Sequence, residues 1–119
     1  MAQEIPNLDK ECFKIGVDVL NGITGKMIKE WENKIQKSLG VLEEDGIFAF
    51  YVYLKSENKE ENNPILDKAI ECLKLIDISV DKSAESWKKI TNDIDQLLLA
   101  KEVVEKMLIY ARYHAKSLQ

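Results

Sequence analysis

The sequence predicts an all-α fold, a single compact bundle of about five to six helices spanning residues 1–119 as one domain. Three observations point there. Apolar residues recur at spacings of three and four along most of the chain, with charged residues on the opposite faces. Helix start signals at Asn7, Asn63-Pro64 and Asp93 stand just before those stripes. The one run that also reads as a strand, Ile47 to Leu54, has no second alternating segment to pair with. A lone strand would leave backbone donors and acceptors unpaired in the core, so that run is read as helix too.

Taken in order, the first helix follows Pro6 with Asn7 as its N-cap. Leu8, Cys12, Ile15 and Val19 share its apolar face. Asn21-Gly22 ends it, and Gly25 allows a turn. In the second helix Met27, Ile28, Trp31, Ile35 and Leu39 form a stripe opposite Lys26, Lys29, Glu30, Lys34 and Lys37. Gly40 is placed to close it as a left-handed C-terminal residue. A central helix from about Leu42 to Glu57 then carries eight successive apolar or aromatic positions, Ile47 to Leu54. A helix apolar on every side has no solvent face, so it is expected in the middle with its neighbours wrapped round it. Glu43-Glu44-Asp45 suits the positive end of its dipole, and Gly46 leaves room for a neighbouring helix.

Residues 57–63 read as a solvated acidic loop. Asn63 as N-cap and Pro64 at the first helical position start the next helix, with Ile65, Leu66, Ala69, Ile70, Leu73 and Ile76 on one face. Asp77 to Lys82 is a connector, and a short helix around Ser83 to Ile90 turns Trp87 and Ile90 inward. Asp93 caps the last and longest helix, Ile94 to Leu118, with Gln96 in capping-box position. Its apolar arc runs through Leu97, Leu99, Ala100, Val103, Val104, Met107, Leu108, Tyr110, Ala111, Ala115 and Leu118. On the polar side Lys101, Arg112 and Lys116 fall within about 60° of one another, a basic ridge broken by Glu105. Ile109 also lies there, where an apolar residue wants a cover.

Hydrophobic content of 45% with 32% charge is ordinary for a folded protein. Eight apolar residues cannot span a bilayer and no basic-then-apolar start marks a signal peptide, so a cytoplasmic protein with no membrane partner is expected. The abundant lysine and glutamate would also suit a thermophile. The net charge of -4 is uneven. Residues 1–37 balance at zero, residues 38–81 carry -6 and residues 82–119 carry +2. An autonomous nucleic-acid binder shows a strongly basic face, so any such contact here is expected to be local and assisted by partners.

An enzyme reading finds little support. His114 is the sole histidine and falls on the apolar arc, which suits a packed residue better than a general base. No serine or cysteine has a triad-like spacing. One class of helical RNases needs a longer gap than the single residue between Arg112 and His114. Cys12 and Cys72 stand singly on their helix faces, 60 residues apart, and are expected as buried small side chains. Glu43-Glu44-Asp45 and Glu60-Glu61 read as solvated acidic turns, and no glycine-rich phosphate loop exists. No catalytic residue, metal ligand or cofactor is expected. Trp31 and Trp87 are expected in the core. Phe48, Phe50, Tyr51 and Tyr53 cannot all point one way, so some of them are expected to meet a partner protein. Tyr113 beside Arg112 has the ring and cation that suit single-stranded RNA, although an exposed tyrosine lying over the helix explains it more simply.

Two blocks carry a family resemblance. Gly46-Ile-Phe-Ala-Phe-Tyr-Val-Tyr-Leu-Lys-Ser56 resembles the Gly-Leu and apolar run, ending in Leu-x-Ser/Ala-Lys, of the small subunit of type III-B (Cmr) CRISPR effector complexes. Ala100-Lys-Glu102, the apolar stretch through Tyr110 and Ala111-Arg-Tyr-His-Ala115 resemble that family's C-terminal pattern, Ala-Thr-x-Glu-Ala through Trp-Leu-Lys-Arg-Phe-Ala. The blocks cover about a third of the chain and are mostly apolar pattern. Ile109 or Tyr110 replaces the family tryptophan, Arg112 stands where two basic residues are common, and Gly46-Ile47 replaces Gly-Leu. The Thr-Leu-Ala-Phe of the family's central run reads Phe50-Tyr-Val-Tyr53.

The resemblance implies an all-helical, non-catalytic subunit stacked in several copies inside a ribonucleoprotein. Its partners would be backbone and large subunits, further copies of itself and the guide RNA/target RNA duplex. RNA-binding candidates are Lys101, Arg112 and Lys116, with Lys55 as an outlier. Rival readings are the small subunit of another CRISPR type such as III-A, a helical protein–protein adaptor docking through its acidic waist, and, least favoured, a helical RNA-processing enzyme.

Overall fold

Each start signal does what its side chain dictates. Asn7 accepts the Lys10 N–H to open α1 (Leu8–Asp18), and Asn63 accepts from Ile65 and Leu66 to open α4 (Pro64–Lys74). Ser83 caps α5 (Ala84–Ile90) through the Ser86 N–H, and Asp93 caps α6 (Ile94–Ser117) through Asp95 and Gln96. Between them lie α2 (Met27–Asp45) and α3 (Ile47–Glu57). The computed structural model describes residues 7–57 and 63–119. Among them the six helices form an all-α bundle with a radius of gyration of 14.1 Å. Pro6 and most of the loop expected over residues 57–63, Glu60-Glu61 included, lie outside the described residues.

The second and third helices divide differently from expectation. Gly40 does not close α2, which runs on to Asp45. A mid-helix glycine costs about 1 kcal/mol, less than the burial of Leu39 and Leu42 on either side returns. The break falls at Gly46, whose φ of +96° reverses the chain between α2 and α3. Gly46 therefore supplies a backbone angle and not a close approach, since a Cβ there would meet nothing within 4 Å. Glu43-Glu44-Asp45 accordingly ends α2 as well as leading into α3.

Nor is α3 the rod at the centre. Ile47, Phe50, Tyr51 and Leu54 are buried, Phe48 and Tyr53 are half-buried, and Val52 stays 47% exposed. Its apolar circumference is covered on only part of its turn. The helix that touches every other is α6, lying chiefly between α1 and α2 and also against α3, α4 and α5. Ala100, Val103, Val104, Met107, Leu108, Ala111 and Ala115 form its buried face. At Gly16 the backbones of α1 and α6 meet: a Cβ there would lie 2.7 Å from the Met107 carbonyl oxygen and 3.0 Å from the Ala111 nitrogen.

Aromatic rings tie α3 to α5. Tyr51 stacks on Trp87 with centroids 5.3 Å apart, and Phe50 tilts against the same indole at 6.4 Å. The polar tips are satisfied by the 77–82 connector: Tyr51 Oη donates to the Lys82 carbonyl at 2.6 Å, and Trp87 Nε1 to the Asp81 carbonyl at 2.8 Å. Asp81 is itself held by the Ser83 N–H at 2.8 Å and the Ser86 hydroxyl at 2.9 Å. Hydrogen bonds from Ser83 and then Ser86 draw its carboxyl down to about 2. Trp87 and both cysteines are buried as expected, whereas Trp31 is only partly so. Both cysteines lie in the same buried core, where α1 packs on α4, and Cys12 Sγ stands 3.7 Å from the Val103 carbonyl oxygen.

Two tests follow from the glycines and Asp81. Gly16→Ala lowers stability by about 1–3 kcal/mol through overpacking, whereas Gly40→Ala, with open space around its Cβ, raises it by about 0.5–1 kcal/mol; urea denaturation reads both. A depressed folded-state carboxyl stabilises above its unfolded pKa of about 3.9 and loses that contribution as pH falls toward its folded value of about 2. Asp81→Asn therefore flattens the fall in urea midpoint across that interval.

Candidate functional site

The basic ridge exists as a geometric row, but it faces α2. Lys101 Nζ donates to the Glu43 carbonyl oxygen at 3.2 Å. The last turn of α2 has no basic residue and ends in three acids, opposite to what its dipole favours, so this lysine serves as an outside cap. Glu105 sits beside it. Burial first, and then the nearby Glu43 charge, push the Glu105 carboxyl above the usual range, with Lys101 pulling against them. Arg112 is half-buried, and its Nε is sealed from solvent with no hydrogen-bond partner among the described residues. Such a group costs about 1–3 kcal/mol when left unmade.

The far end of the same seam closes around Glu32, a carboxylate only 5% exposed. Gln119 Nε2 donates to its Oε1 at 2.6 Å, and Lys29 Nζ stands 3.6 Å away. The Gln119 bond, with the Lys29 and Lys116 charges behind it, outweighs burial and holds this carboxyl below its ordinary value. Lys116 thus helps to neutralise a buried acid. On the opposite flank of α6, Tyr110 Oη donates to Asp9 at 2.7 Å and Lys106 pairs with the same carboxylate at 3.4 Å, latching α1.

Lys101 is therefore engaged within the bundle, which periodicity alone could not reveal, whereas Lys116 is exposed and lends Glu32 only its charge. Lys55 stands apart on the exposed last turn of α3. Tyr113 is exposed, His114 is half-buried, and Ile109 packs against the core edge. Glu43, Glu44 and Asp45 all have exposed side chains. Among the described residues no three His, Cys, Asp or Glu side chains are grouped to hold a metal ion, and no helix is long and apolar enough to cross a membrane.

One feature escaped the sequence reading. A groove of about 570 Å³ lies between α2, α3 and the start of α4, lined by Trp31, Lys34, Lys37, Tyr53, Glu57 and Asn63 among others. Lys34 Nζ sits 4.4 Å from the centroid of a Trp31 ring. Rings beside cations can stack a base or hold a phosphate, although Glu30 and Glu57 balance the two lysines. Trp31, Lys34 and Ser38 at spacings of three and four were the available signal, masked because Trp31 also fits the apolar stripe.

Comparison with protein-family models, curated proteins and solved structures gives no significant match to this chain.

The strained carboxylate at the α2–α6 seam sets a pH signature. A folded-state carboxyl raised above its unfolded value costs stability at neutral pH, and that cost fades as pH falls. Glu105→Gln therefore raises the urea midpoint at pH 7, and the advantage disappears below about pH 4, where both states of the parent chain are protonated.

Proposed function

We propose that this chain is a non-catalytic small subunit of a type III-B (Cmr) CRISPR ribonucleoprotein. Several copies stack inside the effector and help to hold the guide RNA/target RNA duplex for RNA-guided RNA silencing in the cytoplasm. The observation that carries the reading is that the two resembling blocks fall on two helices in the implied order, the apolar α3 and the long terminal α6. The charge distribution supports it further. Cations of α6 that already serve Glu43, Asp9 and Glu32 leave a weak field, which suits a subunit whose neighbours supply most of the attraction for RNA.

Within this proposal Arg112, Lys116 and Lys55 make phosphate contacts, and Lys101 contributes less because the Glu43 carbonyl holds it. Their role is sequence-independent, since phosphates carry no base identity. An adaptor that recognises only protein is the second reading. Ile94 and Leu98, one helical turn apart on α6 and 70% and 60% exposed, favour it by offering an uncovered apolar strip.

Affinity purification of the full chain from native lysate, followed by extraction of bound nucleic acid, separates the two. The effector reading expects backbone and large subunits together with short guide RNAs; protein partners without short RNA favour the adaptor and overturn it. In the purified assembly, Arg112→Met and Lys116→Gln each weaken target RNA binding irrespective of sequence and reduce its salt slope by about one counterion. Arg112→Met leaves folding stability unchanged or higher, because it removes a sealed N–H that has no partner among the described residues.

A further inference from the structure

We propose that the groove between α2, α3 and the start of α4 binds a nucleoside 5′-phosphate unit, with the base against Trp31 and the phosphate on Lys34 and Lys37. The groove shares no residue with the α6 ridge, and the proposal stands whether or not the chain works inside an effector. Its volume of about 570 Å³ falls within the roughly 300–1,000 Å³ of small-molecule sites.

The two tryptophans stand in opposite surroundings. Trp87 is sealed in the core, with Nε1 donating to the Asp81 carbonyl oxygen. Trp31 is only partly buried and lines the groove together with Tyr53. A partly open indole in a concavity offers its π-face to a flat ring. Lys34 and Ser38, at spacings of three and four from Trp31 and Lys34, lie on the same side of α2. The Lys34 ammonium sits 4.4 Å from the centroid of a Trp31 ring and 3.8 Å from a Glu30 carboxylate oxygen. Half of the Lys34 side chain is exposed, and exposed pairs of this kind hold weakly. Lys34 can therefore turn from the indole to a phosphate, which uncovers the ring for the base in the same movement. Lys37, exposed one turn further along, adds a second cation. A bare anion would gain little here, because Glu30 and Glu57 balance the lysines. A ligand that also carries hydroxyl and amino donors uses those carboxylates as acceptors, and a ribose with its base supplies such donors.

The test titrates the full chain with adenosine 5′-monophosphate and follows the two indole N–H resonances by NMR. The Trp31 signal is expected to shift saturably while that of sealed Trp87 holds still. Adenosine and ribose 5-phosphate, each lacking one half of the ligand, are expected to bind at least about fivefold more weakly. Trp31→Leu weakens binding of the monophosphate by about five- to a hundredfold, as loss of one stacked base implies, with circular dichroism checking its helix content. Lys34→Met shrinks the preference for the monophosphate over adenosine, because the ring opens as the phosphate contact is lost. A short single-stranded oligoadenylate distinguishes the sources of the ligand. Binding no tighter than that of the mononucleotide assigns a free nucleotide, and tighter binding that shifts Trp31 assigns single-stranded RNA. The proposal is overturned if neither ligand shifts Trp31 saturably at millimolar concentration. Equal responses to ribose 5-phosphate and the monophosphate overturn it too, as does an unchanged preference in Lys34→Met. A folded Trp31→Leu chain that binds as tightly as the parent has the same consequence. If that variant loses helix, the parent resonances and Lys34→Met decide.

Discussion

The close approach of α1 to α6 is the constraint on which the rest of the bundle hangs. Gly16 sets the Met107 carbonyl and the Ala111 nitrogen nearly against its own backbone, and no side chain separates the two helices there. That contact fixes which arc of α6 remains for α2, and hence which of its polar residues end up in a seam. Ala100, Ala111 and Ala115 continue the same logic along α6, because small side chains allow the longest helix to serve as a shared wall. With α6 in that role, α3 needs covering on only part of its surface, which is why Val52 reaches solvent.

Charge placement follows from that geometry more than from composition. The α2–α6 seam is polar at both ends: Lys101 answers the acidic end of α2, and Gln119, Lys29 and Lys116 surround Glu32. A buried carboxylate with a hydrogen bond and two nearby cations holds helix register, since sliding by one residue would strand the charge. The same arrangement draws lysines of α6 into structural service.

The aromatic cluster under α5 shows how an irregular connector is made rigid. The connector's carbonyls at Asp81 and Lys82 would be costly to leave unpaired beside the core, and Trp87 and Tyr51 supply the donors from the apolar side. Asp81 then turns the chain into α5 through the hydroxyl and amide groups that follow it.

By itself the sequence determined what short-range physics controls. Asn7, Asn63-Pro64 and Asp93 open helices because a side-chain oxygen three residues or fewer from an orphan N–H needs no distant partner. The apolar stripes were likewise visible, and with them the all-α class. Tertiary structure decided the rest, because contacts between distant residues leave no periodic trace. Gly40 and Gly46 look alike in sequence, yet only the turn between α2 and α3 required a positive φ. Lys101, Arg112 and Lys116 form a row at helical spacing, but which helix that row faces depends on where α6 docks. Cys12 and Cys72, each ordinary on its own helix, came to share one core only when α1 and α4 packed together.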